Sequence, residues 1–495
     1  MQTAPSHNDG PQTVVLTAAA VVDASGSAHA PGALVIQADR LNGLWCARGI
    51  DPSTPQGPGA LKSDDWSNLR VLAIGTPEQV LSRAEFQKLR RLDFPTAVLV
   101  PGLVNAHTHL DLTHIGPRTI DRDQGFVGFA QIVVPNRKRD ESGVRGSVRA
   151  GIDKSIRGGC VAVGDIAGFL PPTPNRWGLE EMRTSPLMGV SFLEFFAMAK
   201  GQAEALEGKF APLLGEAGEA SESPGLGARV RAGLSPHAPY SVGGPGYDWA
   251  MGKAMALGIP ISTHLAESVD ERRAVVDGEG PMIEFLRSLN LYDEMAKSWL
   301  GHGVRTSVSR LSGQLAKRYR GLSVVHLNDV REGDLELLKD SGATVIYCPR
   351  SSRSFGAALD FGPHRYREML AMGIPVALGT DSIINLDRLA EGERGRISVI
   401  DEMSLLLNEM DDAGPDDAVA VLRMGTEFGA RALGLDERLF RFMPEDESAG
   451  VVAVELDGVK AGETTDAQRL LLRGLRTPVS ARILAMGNAE FGVRG

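Results

Sequence analysis

Cysteine is scarce in this chain: Cys46, Cys160 and Cys348 are the only three in 495 residues. They are too few and too scattered for a disulfide framework or a thiolate zinc site, and an odd count fits a reducing compartment. A cytoplasmic location is the expectation. Basic charge is also in deficit, 52 Lys and Arg against 62 Asp and Glu, for a formal net charge of -10. This argues against the broad basic surface that a phosphate backbone requires, so nucleic acid is not an expected partner. No apolar run approaches the ~20 residues needed to span a bilayer, which argues against a membrane-embedded role. The opening MQTAPSHNDGPQ lacks the positive segment of a secretory signal, and the TVVLTAAAVV that follows ends at Asp23, as a buried strand would.

What is present is a globular composition, 43% hydrophobic and 23% charged with 5% aromatics. The length permits one large enzyme fold with an accessory domain, or two to three independent domains. Residues 13 to 98 read as short apolar runs (TVVLTAAAVV, GALVIQ, RVLAIG, TAVLV) between turn-rich segments, including a Pro/Gly-heavy loop over 51–58. From Pro101 the pattern becomes short β-like runs alternating with amphipathic stretches, the signature of a parallel sheet built from βα units. Eight such runs occur: LVPGLVNAH, VAVGDIA, LMGVSFLEF, RVRAGLSPH, IPISTHL, LSVVHL, ATVIYCP and IPVALGTD. Eight βα units over about 99–390 predict a (β/α)8 TIM barrel. The segment 401–433 reads as helical, and GVVAVEL with the tail returns to strand-like runs. The expected division is a barrel over 99–446 and a small composite β-sandwich domain built from 13–98 and 447–495. The stretch GEAGEASESPGLGA reads as a solvated loop.

Five of the ten histidines, His107, His109, His237, His264 and His326, fall at the carboxyl ends of predicted strands one, four, five and six. Those ends converge on the top face of such a barrel, so residues distant in sequence meet there. In His107-Thr108-His109 the two-residue period of a strand sends both imidazoles to one side, which makes half a zinc site. His264 in THLAES and Asp381 in ALGTDS can add a third nitrogen and a carboxylate oxygen, leaving a position open for water. A lone histidine at a strand end is more often a hydrogen-bonded core residue, and Asp381 alone could cap a helix. Their joint placement in the register of eight strands favours a divalent metal, zinc first, with iron and manganese also suited to such donors. Asp381 then serves as both ligand and proton acceptor. Glu267, three residues beyond His264, is placed to be the general acid, a carboxylate whose pKa apolar walls can raise; its other reading is a solvated first-turn residue. His326 can orient the attacking hydroxide or stabilise an oxyanion, or be structural.

PGLVNAHTHLDLTHIG, SPHAPYS, THLAES, VVHLND, YCPRS and ALGTDS, in this order, resemble the amidohydrolase superfamily, in its branch of aromatic-ring deaminases and chlorohydrolases. The resemblance spans nearly the whole chain, since that branch also carries a β-sandwich made from both termini. It implies that His107, His109, His264 and Asp381 bind one catalytic metal, that Glu267 and His326 act in proton transfer and hydroxide orientation, and that His237 faces the substrate. Two-metal members carry a carboxylated lysine at the end of strand four; RVRAGLSPHAPYS has no lysine there, so a mononuclear site is expected. Glu194 in FLEFF could touch metal, contact substrate or be structural.

The expected reaction is hydrolytic deamination of an amino-substituted aromatic ring. Hydroxide attacks the amino-bearing carbon, Asp381 takes a proton, Glu267 protonates the adjacent ring nitrogen, and ammonia leaves. The same residues would serve a chlorohydrolase or a cyclic amide hydrolase, and a scaffold without activity is the reading from another class, against which the intact ligand set argues. YCPRSSRSFG places Arg350 and Arg353 near the barrel mouth, followed by Phe355 and His364. Such arginines could receive a carboxylate or phosphate, or pair with helix-borne acids. CPRSSRSFG, PHRYREML and LDLTHIG look most like the aminodeoxyfutalosine deaminases, whose substrate is an adenine nucleoside analogue bearing a benzoate. After ALGTDS the chain departs from that branch, with IINLDRL in place of a small polar stretch such as LASN. A small heterocyclic substrate is the expected partner, and a homodimer is compatible with the sequence.

Overall fold

The computed structural model describes residues 11–38, 69–121, 125–168, 174–214, 229–386, 396–458 and 466–487. The loops read at 51–58 and in GEAGEASESPGLGA, and Cys46, lie outside the described residues. Two eight-stranded sheets organise the rest. The first takes strands β1 (Gln12–Val22), β2 (Ala28–His29), β3 (Gly32–Ala38), β4 (Arg70–Gly75) and β5 (Arg90–Pro101) from the beginning of the chain. The second is the barrel: β6 (Leu103–Thr108), β7 (Cys160–Ala167), β8 (Met188–Phe195), β9 (Val230–Pro236), β10 (Ile261–Leu265), β11 (Leu322–His326), β12 (Thr344–Tyr347) and β13 (Val376–Leu378), parallel and in sequence order. Strands β14 (Asp446–Glu447), β15 (Gly450–Glu455) and β16 (Ala481–Met486) then return to the first sheet. β15 pairs antiparallel with β5, Val451 opposite Pro101, so the two chain ends form one sheet.

The run LVPGLVNAH, read as one strand, is divided between the sheets. β5 ends at Pro101, and the Gly102 N–H donates to the Gly450 carbonyl at 3.0 Å, so the chain leaves one sheet and enters the other there. The tail likewise holds a helix, Ala467–Arg476, which buries Leu470, Leu471 and Leu475. Helices cover the barrel from outside. Glu141–Arg157 is typical: Asp140 caps it by accepting from the Gly143 N–H, and Val144, Val148, Gly151, Ile152 and Ser155 form its buried face at three- and four-residue spacing. The region 401–433, read as helical, contains Val399–Glu409, Pro415–Met424 and Glu427–Ala432.

The barrel closes where first and last strands meet. Thr108 and Asp381 form a parallel bridge, and the His107 carbonyl accepts from the N–H groups of both Thr380 and Asp381 at 3.0 Å. Gly379 makes this approach feasible, since a side chain there would stand 2.7 Å from the His107 Cβ. Cys160 and Cys348 are buried free thiols. No helix among the described residues is long and apolar enough to cross a membrane.

Candidate active site

The carboxyl ends of β6, β8, β9, β10, β11 and β13 deliver His107 and His109, Glu194, His237, His264, His326, and Asp381 to one buried cluster. The His107 ring lies 5.1 Å from His109, 5.0 Å from His264 and 5.8 Å from His326, and His237 lies 5.0 Å from His264. Asp381 Oδ1 stands 3.6 Å from His107 Nε2 and 3.3 Å from His109 Nε2. Glu267 Oε1 is 3.6 Å from His326 Nε2, and Glu194 Oε1 is 3.9 Å from His237 Nε2.

Several residues are aimed by hydrogen bonds on their far side. His264 Nδ1 donates to the His237 carbonyl at 3.0 Å, which leaves Nε2 for the cluster. His237 Nδ1 meets Ser241 Oγ at 2.7 Å. Asp381 Oδ2 accepts from Ser351 Oγ at 2.6 Å and from Asn385 Nδ2 at 2.7 Å, so Oδ1 is the oxygen turned to the imidazoles. Glu267 is fixed through its backbone. Both oxygens of the fully buried Glu271 accept peptide N–H groups, from Ala266 at 2.8 Å and Glu267 at 2.9 Å, while Asn328 Nδ2 donates to the Glu267 carbonyl at 2.9 Å.

Burial dominates the electrostatics. It pushes His237 and His326 down to about 3 and His264 well below the ordinary imidazole range. His109 is held up instead: burial works against its charge, but the Asp381 hydrogen bond and charge outweigh it. Asp381 is the counterpart, held well below the carboxylate range, despite burial, by the His107 and His109 imidazoles that face its Oδ1. Glu267 is pushed well above that range by burial, then by the charges of Asp381 and Glu271. Glu194 is raised by burial.

The donors fit a divalent cation. His107 is fully buried with neither ring nitrogen hydrogen-bonded, and His326 Nε2 and Glu194 Oε1 also lack hydrogen bonds; an imidazole buried this way is costly unless something else takes its lone pair. His107, His109 and Asp381 form one group with donor atoms within 4.8 Å of one another, and His107, His264 and His326 form another. Glu194, His237 and His264 form a further group, so Glu194 sits among potential ligands as well as beside His237. Nitrogen with carboxylate oxygen suits a borderline ion.

Arg350 takes the second of its two readings, pairing with a helix-borne acid. Its guanidinium turns to Glu402 on the helix Val399–Glu409 and to the Ser398 carbonyl, and its own N–H donates to Glu402 at 2.9 Å. Burial of Glu402 demands that cation, so Arg350 serves the helix layer instead of facing a ligand. Arg353 is exposed in the last turn of the helix Pro349–Phe355, and Phe355 meets Phe129 edge-on with ring centroids 5.6 Å apart. His364 stacks on Tyr347, outside the barrel wall.

Reading the sequence missed Ser351, Asn385, Glu271 and Asn328, although Asn385 lies in IINLDRL, and Glu271 and Asn328 follow Glu267 and His326 by four and two residues. Also missed was Arg137, which donates to Asp111 Oδ2 at 3.0 and 2.7 Å. Its guanidinium lies where any side chain on Gly168 would be.

A family model described as "Amidohydrolase family" matches residues 98–440. Aminodeoxyfutalosine deaminase of Deinococcus radiodurans is 29% identical over 325 residues, 64% of this chain and 71% of its own. A 5-methylthioadenosine/S-adenosylhomocysteine deaminase of Natronomonas pharaonis is 26% identical, covering 70% and 71%. Among solved structures, an adenosine deaminase from Xanthomonas campestris with bound zinc superposes with a TM-score of 0.66 at 18% identity, covering 97% of this chain and 94% of its own. Helicobacter pylori aminofutalosine deaminase in complex with methylthio-coformycin gives 0.65 at 19%, covering 94% and 97%. A triazine hydrolase variant gives 0.67 at 16%, covering 98% and 96%. At these identities the structural likeness speaks for the fold alone.

Proposed function

The chain belongs to the amidohydrolase family and is a hydrolase of carbon–nitrogen bonds; from that premise we propose that it removes ammonia from an amino-substituted ring, specifically the adenine of a nucleoside. The observation that carries this reading is the convergence of five imidazoles, Asp381 and Glu267 at one barrel end, with His107 lacking hydrogen bonds. The nucleoside class is supported by relatives named for aminodeoxyfutalosine and for 5-methylthioadenosine and S-adenosylhomocysteine. The same reading divides the chain into a barrel over 99–446 and a β domain over 13–98 and 447–495.

His107, His109, His264 and Asp381 would hold one divalent ion, zinc first. When bound, such an ion lowers the pKa of water in its coordination shell toward neutrality. Asp381, its Oδ2 fixed by Ser351 and Asn385, accepts the proton of the attacking water on Oδ1. His326 Nε2 orients that oxygen toward the amino-bearing carbon. Glu267, kept protonated by burial and by the Asp381 and Glu271 charges, donates to the adjacent ring nitrogen. The proton held by Asp381 then passes to the amino group, the tetrahedral carbon collapses with departure of ammonia, and the hydroxyl proton returns to Glu267, leaving an oxo group on the ring. His237 and Glu194 face the substrate, and Arg353 is the exposed cation suited to a substrate carboxylate.

The test is metal analysis of purified protein together with ammonia release from adenosine, 5-methylthioadenosine, S-adenosylhomocysteine and aminodeoxyfutalosine. Ammonia from one or more of them, with one metal per chain, is the expected result. No ammonia from any aminated ring would overturn deamination. Two metals per chain would move Glu194 and His237 from substrate contact to ligation.

A further inference from the structure

A cavity stands back to back with the imidazole cluster, outside the barrel wall. Side chains alternate along β12: Ile346, and Cys348 just beyond the strand, join Val325 and Ala377 inside the barrel, whereas Tyr347 packs outward among the helices. There Tyr347 lines a cavity of about 540 Å3, within the ~300–1,000 Å3 range of small-molecule sites. His364 stacks on Tyr347 with ring centroids 3.7 Å apart, and Tyr366 lies 5.7 Å from Tyr347. His364 Nε2 donates to the His326 carbonyl at 2.8 Å and Nδ1 accepts from the Tyr366 N–H at 3.0 Å, which fixes the ring as neutral. Glu409, Asp411 and Asp412 line the cavity together with one cation, Arg367, which is paired with Asp417. Aromatic rings in the wall and carboxylates at the rim together suit an aryl-bearing organic cation.

Two wall residues reach through to the proton-transfer pair. His364 holds the His326 carbonyl, and Asn328 holds the Glu267 carbonyl while accepting from Ser352 Oγ at 2.9 Å. Between them the backbone is left-handed at His326 (φ 77°) and Leu327 (φ 56°), a conformation bulky residues keep only when their surroundings impose it. We propose that this cavity binds a small aryl-bearing organic cation and that its occupancy sets the rate of the proposed reaction through Asn328 and His364. The link to rate rests on the roles given above to Glu267 and His326.

The experiment therefore reads binding and turnover separately. Benzamidinium, with benzoate as an anion of similar shape, is titrated calorimetrically into the metal-loaded protein, and kcat and KM are measured over the same concentrations. We expect a benzamidinium Kd below ~1 mM, benzoate weaker by about tenfold or more, and a change in kcat of about twofold or more at unchanged KM. Ala358→Phe, which fills the cavity from an exposed position, should abolish both effects and keep basal turnover. Asp411→Asn with Asp412→Asn should weaken binding about threefold. Benzamidinium that competes with substrate, or that binds the Ala358→Phe variant equally well, overturns the site. Binding without any change in kcat overturns the coupling. Binding sensitive to Ala358→Phe, in a protein that deaminates nothing, would overturn the proposed function and leave the cavity's ligand class standing.

Discussion

The sheet drawn from both chain ends and the carboxyl end of the barrel obey local rules to different degrees. In the first, Leu16, Leu34, Ile36, Val71, Leu99 and Val451 are buried along paired strands, and among the described residues no buried side-chain atom on these strands lacks a hydrogen bond. In the second, His107, Glu194 and His326 bury atoms without hydrogen bonds, and Ala266, His326, Leu327 and Asp381 all have positive φ. Each such backbone position costs on the order of 1–3 kcal/mol. Chemistry needs polar atoms held ready and unsatisfied, and packing elsewhere must offset that cost.

The contrast can be broken in order of expected effect. Removing metal with a chelator should abolish turnover while the protein stays folded, with recovery on adding zinc; full activity without metal would discard the proposed mechanism. Glu267→Gln should lower kcat by about 10²–10⁴-fold with metal content unchanged, and unaltered turnover would exclude Glu267 as the proton donor. Leu99→Ala should do the reverse, costing about 2–5 kcal/mol in denaturant unfolding with kcat per folded molecule retained. A loss of kcat there would show that the two regions are not separable.

Acidity probes the same divide. Asp165, at the barrel's carboxyl end, is pushed up to about 7 by burial and then by the Asp111 charge, and Glu194 is raised by burial too. The folded chain thus retains protons that the unfolded chain releases near pH 4. This contribution to stability is full below about pH 4 and is lost as pH rises through about 7. With chelator present, the stability that Asp165 contributes, read as the difference in urea midpoint from Asp165→Asn, should shrink between about pH 4.5 and about pH 7.5. The depressed imidazoles of His237, His264 and His326 act in the opposite direction in both proteins and cancel in that difference, and parallel slopes in the two proteins would remove Asp165 as the source. The smallest effect is expected from Ala266→Gly: φ is 54° there, so the change should be neutral or stabilise by up to about 1 kcal/mol. A clear destabilisation would argue that no strain is stored at this end of β10.

Much of this arrangement is legible in the sequence because it is local. The two-residue period of His107 and His109, and the turn placing Glu267 beyond His264, need only strand geometry. The eight strands declare themselves as short apolar runs alternating with amphipathic stretches. What escapes depends on partners far along the chain. Nothing near Gly102 announces that its N–H will meet Gly450, and nothing near Arg350 announces Glu402. Ser351 and Asn385 are ordinary polar residues until Asp381 Oδ2 falls between them. The helix Ala467–Arg476 is amphipathic in its own sequence, but it lies between strand-like runs that dominate the pattern of the tail.

The pairing of β5 with β15 has a consequence in time. Pro101 faces Val451, so one edge of β5 waits for a partner made about 350 positions later, roughly 20–70 s at ordinary rates of synthesis. The barrel seam imposes a similar delay, because the His107 carbonyl receives its donors only from Thr380 and Asp381. A ribosome-bound chain therefore carries an open apolar strand edge and an incomplete histidine–carboxylate cluster for most of its production. On the ligand set proposed above, metal capture becomes a late event, and a chain that stops before residue 381 has the imidazoles but not the Asp381 carboxylate that would complete them.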